Sequence, residues 1–326
     1  VEKIQLNQSV RTDQKIVITG AAGLVGQNLL VLLKEKGFTN IIAIDKHEAN
    51  CRILKQLHPE FENNIVVADV GHNHDWKKHL HGAACVIQLH AQITGTSEEP
   101  FVANNIKATA SVLEGIKAAN VPYLIHISSS VVKSVAHDWY SETKRKQEEL
   151  VSTSGIKHVI LSPTLMFGWF DPKHLGWLSR FMAKIPIFPI PGHGKYVRQP
   201  LYARDFCRVI VRCLETCPVN ARYDIVGREE VFYIDLIKRI KNLTGSRAAI
   251  VKIPYSLFSI LLKSYAIFSS RPPFTAHQLK ALTAGDYFTG VDIEKEFAIK
   301  PTPLVDAFRE TFCHPLYSSV ILDQTA

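Results

Sequence analysis

The sequence has no C-x-x-C pair. Its six cysteines stand at 51, 85, 207, 213, 217 and 313, without the close pairing of a redox dithiol or a zinc knuckle. Cys213 and Cys217, four apart on an expected helix, read as core residues. Reduced thiols in a cytoplasmic protein are the expectation. Clustered basic residues are also missing. The formal charge is +8, yet Lys and Arg are scattered, so no nucleic-acid stripe is expected. The surplus suits either a solvated basic surface or an anionic ligand such as a dinucleotide or nucleotide sugar. The N-terminal "VEKIQLNQSVRTDQ" has no apolar core and is not expected to be a signal peptide. "YSLFSILLKSYAIFSS" (255–270) is short for a bilayer and carries Lys263. A buried or lid helix is expected there, with no stable membrane insertion. There is no internal repeat and no low-complexity tract.

What is present is a core-forming composition, 46% hydrophobic over 326 residues. Short Val/Ile-rich runs recur through the first half: "KIVIT" (15–19), "NIIAID" (40–45), "NIVVAD" (64–69), "ACVIQLH" (84–90), "YLIHIS" (123–128) and "HVILSPTL" (158–165). Near-continuous apolar runs are expected of strands buried on both faces. Amphipathic stretches lie between most of them, and the alternation predicts an α/β fold with a doubly wound, Rossmann-type parallel sheet. Gly37 and Gly155 sit where helices should stop. The second half is richer in proline and less regular, and "IPIFPIPGHGKYVRQP" is expected to be loop or sheet edge.

"VITGAAGLVGQNLL" joins the first strand to a helix, with Gly20, Gly23 and Gly26 spaced G-x-x-G-x-x-G. Missing Cβ atoms there let backbone N–H groups, such as those of Leu24 and Val25, approach a pyrophosphate. Asp45 ends the second strand, 19 residues after Gly26. Its carboxylate can accept from ribose hydroxyls and would repel a 2′-phosphate, which favours NAD over NADP; Lys46 works against that preference. Asp69 and Val70 end the third strand within reach of an adenine, or form an ordinary turn. His72, His74, His79 and His81 invite a metal reading, but they fall on an expected surface loop without Cys or convergent carboxylates, so no metal is expected. "SSSVVKSVAHDWYSETK" (128–144) places Tyr140 and Lys144 one helical turn apart on one face.

The ordered set "TGAAGLVG", "AID", "ADV", "VIQLHAQ", "NIKATASVLEGIKAANV", "HISSS", "YSETK", "PTLMFG", "RQPLYARDF" and "YDIVG" resembles the extended short-chain dehydrogenase/reductase superfamily. Within it, the chain is similar to the NAD-dependent epimerase/dehydratase family that acts on nucleotide sugars, over about residues 15 to 230. The resemblance implies an NAD-binding domain at 1–165, with contributions from about 198–230. It also implies a smaller, irregular substrate-binding lobe from 166–197 and 231–326. By position, Tyr140 is implied as acid/base, with Lys144 as its partner and as a ligand of the nicotinamide ribose. Ser130 matches the substrate serine best, with Ser129 next. Asn105 matches the family asparagine. Ser128, Leu89, His90, Ala91 and Pro163 are implied along the cofactor. Arg198 matches the arginine that grips a nucleotide diphosphate, and His193 in "PGHGK" lies near it. Asp138 is a plausible N-cap for the tyrosine helix.

Departures concern the substrate. Only ten positions separate Ser130 from Tyr140, Leu165 and Ser162 stand where sugar enzymes have asparagine and arginine, and Gln88 and His90 where His and Ala are common. An NAD-dependent carbinol dehydrogenase resembling 3-beta-hydroxysteroid dehydrogenases is therefore the alternative, with a non-catalytic dinucleotide-binding subunit behind it. A homodimer through the helices near 101–119 and 140–154 is implied by the resemblance alone.

Overall fold

Seven parallel strands form the centre of the computed structural model, which describes residues 9–72, 74–134, 138–268, 279 and 287–323. They are β1 (Lys15–Thr19), β2 (Ile41–Asp45), β3 (Ile65–Val67), β4 (Ala83–Gln88), β5 (Leu124–Ile127), β6 (His158–Pro163) and, after four short strands, β11 (Ala221–Ile225). The short ones are β7 (Met166–Phe167), β8 (Ile187–Pro191), β9 (Val197–Arg198) and β10 (Leu201–Tyr202). β12 (Val231–Phe232) and β13 (Ala249–Ile253) follow. The spatial order β11-β6-β5-β4-β1-β2-β3 reverses between β1 and β4. A crevice opens at the carboxyl ends of strands at such a reversal.

Alternate strand residues enter opposite layers, as a period of two requires. Ile16 and Ile18 pack with the helices Leu24–Glu35 and Ala203–Thr216, while Val17 packs with Trp76, Val112 and Ile116 on the other face. Burying each such aliphatic side chain contributes roughly 1.5–3 kcal/mol. Both faces are therefore apolar, which is why the strands read as unbroken Val/Ile runs. Gly37 (φ +79) and Gly155 (φ +77) take the left-handed turns after the helices that precede them.

A separate cluster built from Phe167, Phe188, Ile190, Leu236, Ile240 and Phe308 gathers the second-half elements. The proline-rich stretch supplies β8, an edge strand paired with β13. The apolar 255–270 segment is a helix, Tyr255–Phe268, whose opening turns are not buried: Leu257, Ile260 and Leu261 are 46%, 59% and 51% exposed. Of the two expectations, a buried or a lid helix, the exposed opening turns go against the buried one, because hydropathy does not say which neighbour covers a face; residues 269–270 lie outside the described set. Among the described residues no helix is long and apolar enough to cross a membrane.

Candidate active site

The crevice is floored by Thr19 and Gln88, paired side by side in β1 and β4. The three loop glycines serve different ends. Gly20 has φ +74, and a Cβ there would sit 2.5 Å from the His90 backbone nitrogen. A Cβ on Gly26 would sit 2.2 Å from the Ala21 carbonyl oxygen. At Gly23 the nearest atom, the Gly20 oxygen, is an ordinary 3.5 Å away. Two glycines thus satisfy the protein's own backbone, and the third leaves a gap at the N-terminus of the helix Leu24–Glu35. The N–H groups of Leu24 and Val25, in the first turn, have no helical carbonyl to bond. A dinucleotide's pyrophosphate fits that cradle.

Asp45 is tied to the loop. Its two carboxylate oxygens accept from the N–H groups of Ala22 and His47, each at 2.9 Å. Burial raises its pKa, and the two N–H groups oppose that rise. Each oxygen retains a lone pair for a ribose hydroxyl. Lys46 donates to Asn104 at 2.9 Å and stands 4.0 Å from Asp69, so it is engaged rather than free for a 2′-phosphate. Asp69 accepts from the Gly71 N–H at 2.9 Å, and Val70 is buried behind it. NAD should therefore bind at least about tenfold more tightly than NADP, since like charges near 4 Å repel by about 1–4 kcal/mol. Titration calorimetry with both cofactors checks this, and equal or tighter NADP binding removes Asp45 from the ribose site.

β5 delivers the three serines to the crevice. Ser128 Oγ is buried with no partner among the described residues. Ser129 is extended (φ −158, ψ 148) and its oxygen accepts from the Val131 N–H at 3.4 Å. The Ser129 hydroxyl also acts on the Tyr140 phenol, lowering its pKa. Ser130, which the resemblance ranked first, is already inside the short turn Ser130–Lys133. There it lines a cavity with Lys133, Ser134, Asp224, Val226 and Tyr287. The serine that meets the tyrosine is thus Ser129, because the turn carries Ser130 round to that cavity.

The helix Trp139–Ser152 opens with the expected Asp138 cap. Asp138 Oδ1 accepts from the Ser141 N–H at 2.7 Å, and Ser141 Oγ accepts from the Asp138 N–H at 3.1 Å. This reciprocal box fixes Tyr140 in the first turn. Burial pushes the phenol's pKa up, the Ser129 hydroxyl pulls it down, and the Asp138 charge pushes it up. Lys144 is 1% exposed, and its Nζ donates to the Ile127 carbonyl at 2.8 Å and to Gln147 Oε1 at 2.5 Å. Burial lowers its pKa to about 7, against the pull of Glu148. The ammonium is therefore turned to the end of β5, with two acceptors other than the phenol.

Asn105 lies in a π-helical turn, Val102–Lys107. It clamps the loop after β4 to the tyrosine helix: its oxygen accepts from the Gln92 N–H at 2.7 Å, and its nitrogen donates to Thr143 at 2.9 Å. π turns recur at functional sites because they re-aim one side chain. The His90 ring sits between Thr19 Oγ1 (2.8 Å) and Gln88 Nε2 (3.3 Å), and burial lowers its pKa to about 3. Leu89 and Ala91 flank it half-buried, and Pro163 is buried at the end of β6. Arg198 on β9 pairs with Val231, and its charge acts on Tyr233. His193 Nδ1 accepts from the Lys195 N–H at 2.8 Å, and its ring packs on Tyr196. Its contacts are local to that turn. Sequence reasoning passed over Gln147 and Thr109, and noted Gln88 only as a departure from the family pattern. The i,i+3 spacing of Lys144 and Gln147 was the one visible signal.

The NAD dependent epimerase/dehydratase family model matches residues 16–226. The chain belongs to that family. As a member of it, the chain is an NAD-dependent enzyme of the epimerase, dehydratase and oxidoreductase type. It is 21% identical over 244 residues to a ceramide reductase of Caulobacter vibrioides, covering 73% of each chain. Its fold is similar to a dTDP-glucose 4,6-dehydratase of Streptomyces venezuelae solved with NAD (TM-score 0.71, 17% identity, 91% of this chain and 96% of that one). It is also similar to a UDP-glucuronic acid 4-epimerase of Bacillus cereus in complex with NAD (TM-score 0.66, 22% identity, 91% and 96%).

Proposed function

We propose that the protein interconverts a carbinol and a carbonyl on a nucleotide sugar, with Tyr140 moving the proton, Ser129 bonding the reacting oxygen and Lys144 supporting both. The observation that carries this is the placement of Ser129 just after β5 and of Tyr140 in the capped first turn of its helix, one turn before the buried Lys144, with the Ser129 hydroxyl lowering the phenol's pKa. NAD, when bound, supplies the hydride acceptor. The chain's own groups do the rest. Gly23, Leu24 and Val25 receive the diphosphate, and Asp45 the ribose hydroxyls. The buried phenol holds its proton until a developing oxyanion or a nearby cation draws it, and the Ser129 hydroxyl donates to that oxyanion. The cluster around Phe167 and Phe308 serves as the substrate-binding lobe, with Arg198 at its rim toward β12.

Nucleotide sugars are the substrates named for the dehydratase and epimerase neighbours, and the net charge of +8 favours an anionic diphosphate. A thermal-shift screen with NAD present, across UDP- and dTDP-sugars, tests the reading, because a ligand of the native state raises the midpoint. Arg198→Ala should remove most of that shift and leave NAD affinity within about twofold, as charge-assisted bonds to phosphate are strong. If NAD binding collapses instead, Arg198 serves the cofactor or the fold.

A second reading rests on the exposed Leu257, Ile260 and Leu261 and on the similarity to a ceramide reductase. An apolar carbinol would then be the substrate, and nucleotide sugars would give no thermal shift.

A further inference from the structure

The Lys144 amine enters a buried hydrogen-bond network. Gln147, which accepts from Nζ, has no exposed surface, and its own Nε2 donates to Thr109 Oγ1 at 2.7 Å. The same oxygen accepts from Gln88 Nε2 at 2.6 Å, and Gln88 Nε2 lies 3.3 Å from His90 Nε2. On the other side of the ring, His90 Nδ1 hydrogen-bonds Thr19 Oγ1 at 2.8 Å. A continuous run of bonds thus joins the glycine loop at Thr19 to Lys144. Gln88 Oε1 and both His126 ring nitrogens border it, buried without partners among the described residues; Gln88 and His126 are register neighbours in β4 and β5.

We propose that Gln147 is a positioning residue of the active site, anchored on Thr109 and holding Lys144 against the Ile127 carbonyl so that one position of Nζ remains for the reacting side. A neutral amine has two N–H bonds and an ammonium three. Either form satisfies Gln147 and Ile127. Gain or loss of the proton is therefore felt at the remaining position alone. Without Gln147 the amine could rotate, and its titration would no longer be confined to that position.

The titratable and charged groups around Lys144 do not take over this task. Glu148, on the same helix, is committed to Arg222 of β11 and to Ser162. His90 and His126, from β4 and β5, are pushed toward the neutral form by burial, and the Lys144 charge adds to that push. Tyr140, one turn back, is held toward its neutral, protonated form by burial.

This proposal rests on Lys144 being part of the working site, but its test needs no substrate. With 13C-labelled lysine, the Lys144 Cε resonance, identified by its loss in Lys144→Met, is titrated by NMR in the cofactor-free protein. Gln147→Met keeps the volume and removes the acceptor, so the midpoint should fall about tenfold in proton affinity. Gln147→Glu places a negative charge at the same spot, so the midpoint should rise by a similar factor. Circular dichroism melts confirm that the variants fold; should the Met variant not fold, the Glu variant decides alone by rising or not. Midpoints that stay put, or that move in the same direction in both variants, overturn the proposal. A titration that behaves as expected, beside a Tyr140→Phe enzyme of undiminished turnover, would reject the hydride-transfer reading and leave the Gln147 contact standing. The converse pair of results would do the reverse.

Discussion

Tyr140→Phe should lower turnover by about 10²–10⁴-fold, the usual share of general acid–base catalysis, with NAD affinity and melting temperature close to wild type. The change deletes one oxygen from a ring that the Asp138–Ser141 box already fixes in place. The phenol oxygen is no part of that box, so folding loses little. Its proton is what the reaction needs. Burial raises the phenol's pKa above its ordinary value, so the resting side chain is protonated at neutral pH and suited to donate to a carbonyl oxygen. Acting in the other direction, as a base, requires positive charge to arrive near it. Steady-state kinetics with the substrate found in the thermal-shift screen decides the matter. An unchanged turnover number would place the proton transfer elsewhere, whatever the geometry of Ser129.

The second large effect separates the loop glycines. Gly26→Ala should destabilise the protein by about 1–3 kcal/mol or more and lower NAD affinity on the order of 100-fold. The new methyl would lie 2.2 Å from the Ala21 carbonyl oxygen and 2.5 Å from its carbon. Both are backbone atoms, so the helix Leu24–Glu35 must move off the strand, and the cradle moves with it. Gly23→Ala should behave differently. Its φ of −82 suits any residue, and the nearest atom to the new methyl is 3.5 Å away. Stability should stay within about 0.5 kcal/mol, as for substitutions that meet no strain, while NAD affinity falls by about tenfold or more because the methyl occupies the gap. Thermal unfolding and calorimetry read the two effects separately. A Gly23→Ala protein that binds NAD as tightly as wild type would show that the gap is not where the diphosphate lies.

Much of this architecture is local, and local features are legible. Six of the seven sheet strands announce themselves as Val/Ile runs, because a strand covered on both faces has no polar side to show. The glycine spacing, Asp45 at a strand end, Asp138 before the helix, and Tyr140 with Lys144 one turn apart are each set within a few residues of chain. The register of β1 against β4 then needs only the right-handed crossovers that every parallel sheet shares.

What the sequence by itself determined is therefore the Rossmann-type sheet, the dinucleotide loop and the tyrosine helix. The tertiary structure alone decided which serine acts on Tyr140, since that depends on a four-residue turn carrying Ser130 round to a separate cavity. It alone decided where the Lys144 amine points, since its partners come from β5 and from a glutamine whose orientation is set by Thr109 on another helix. The clamp by Asn105 needs a π turn, and its partners Gln92 and Thr143 lie 13 and 38 positions away. The helix Tyr255–Phe268 makes the same point in reverse: its composition allowed a buried or a lid helix, and its exposed opening turns depend on neighbours that composition does not encode. Backbone preferences act between adjacent residues, whereas side-chain hydrogen bonds and coverage act between elements, and those are fixed only when the chain has packed.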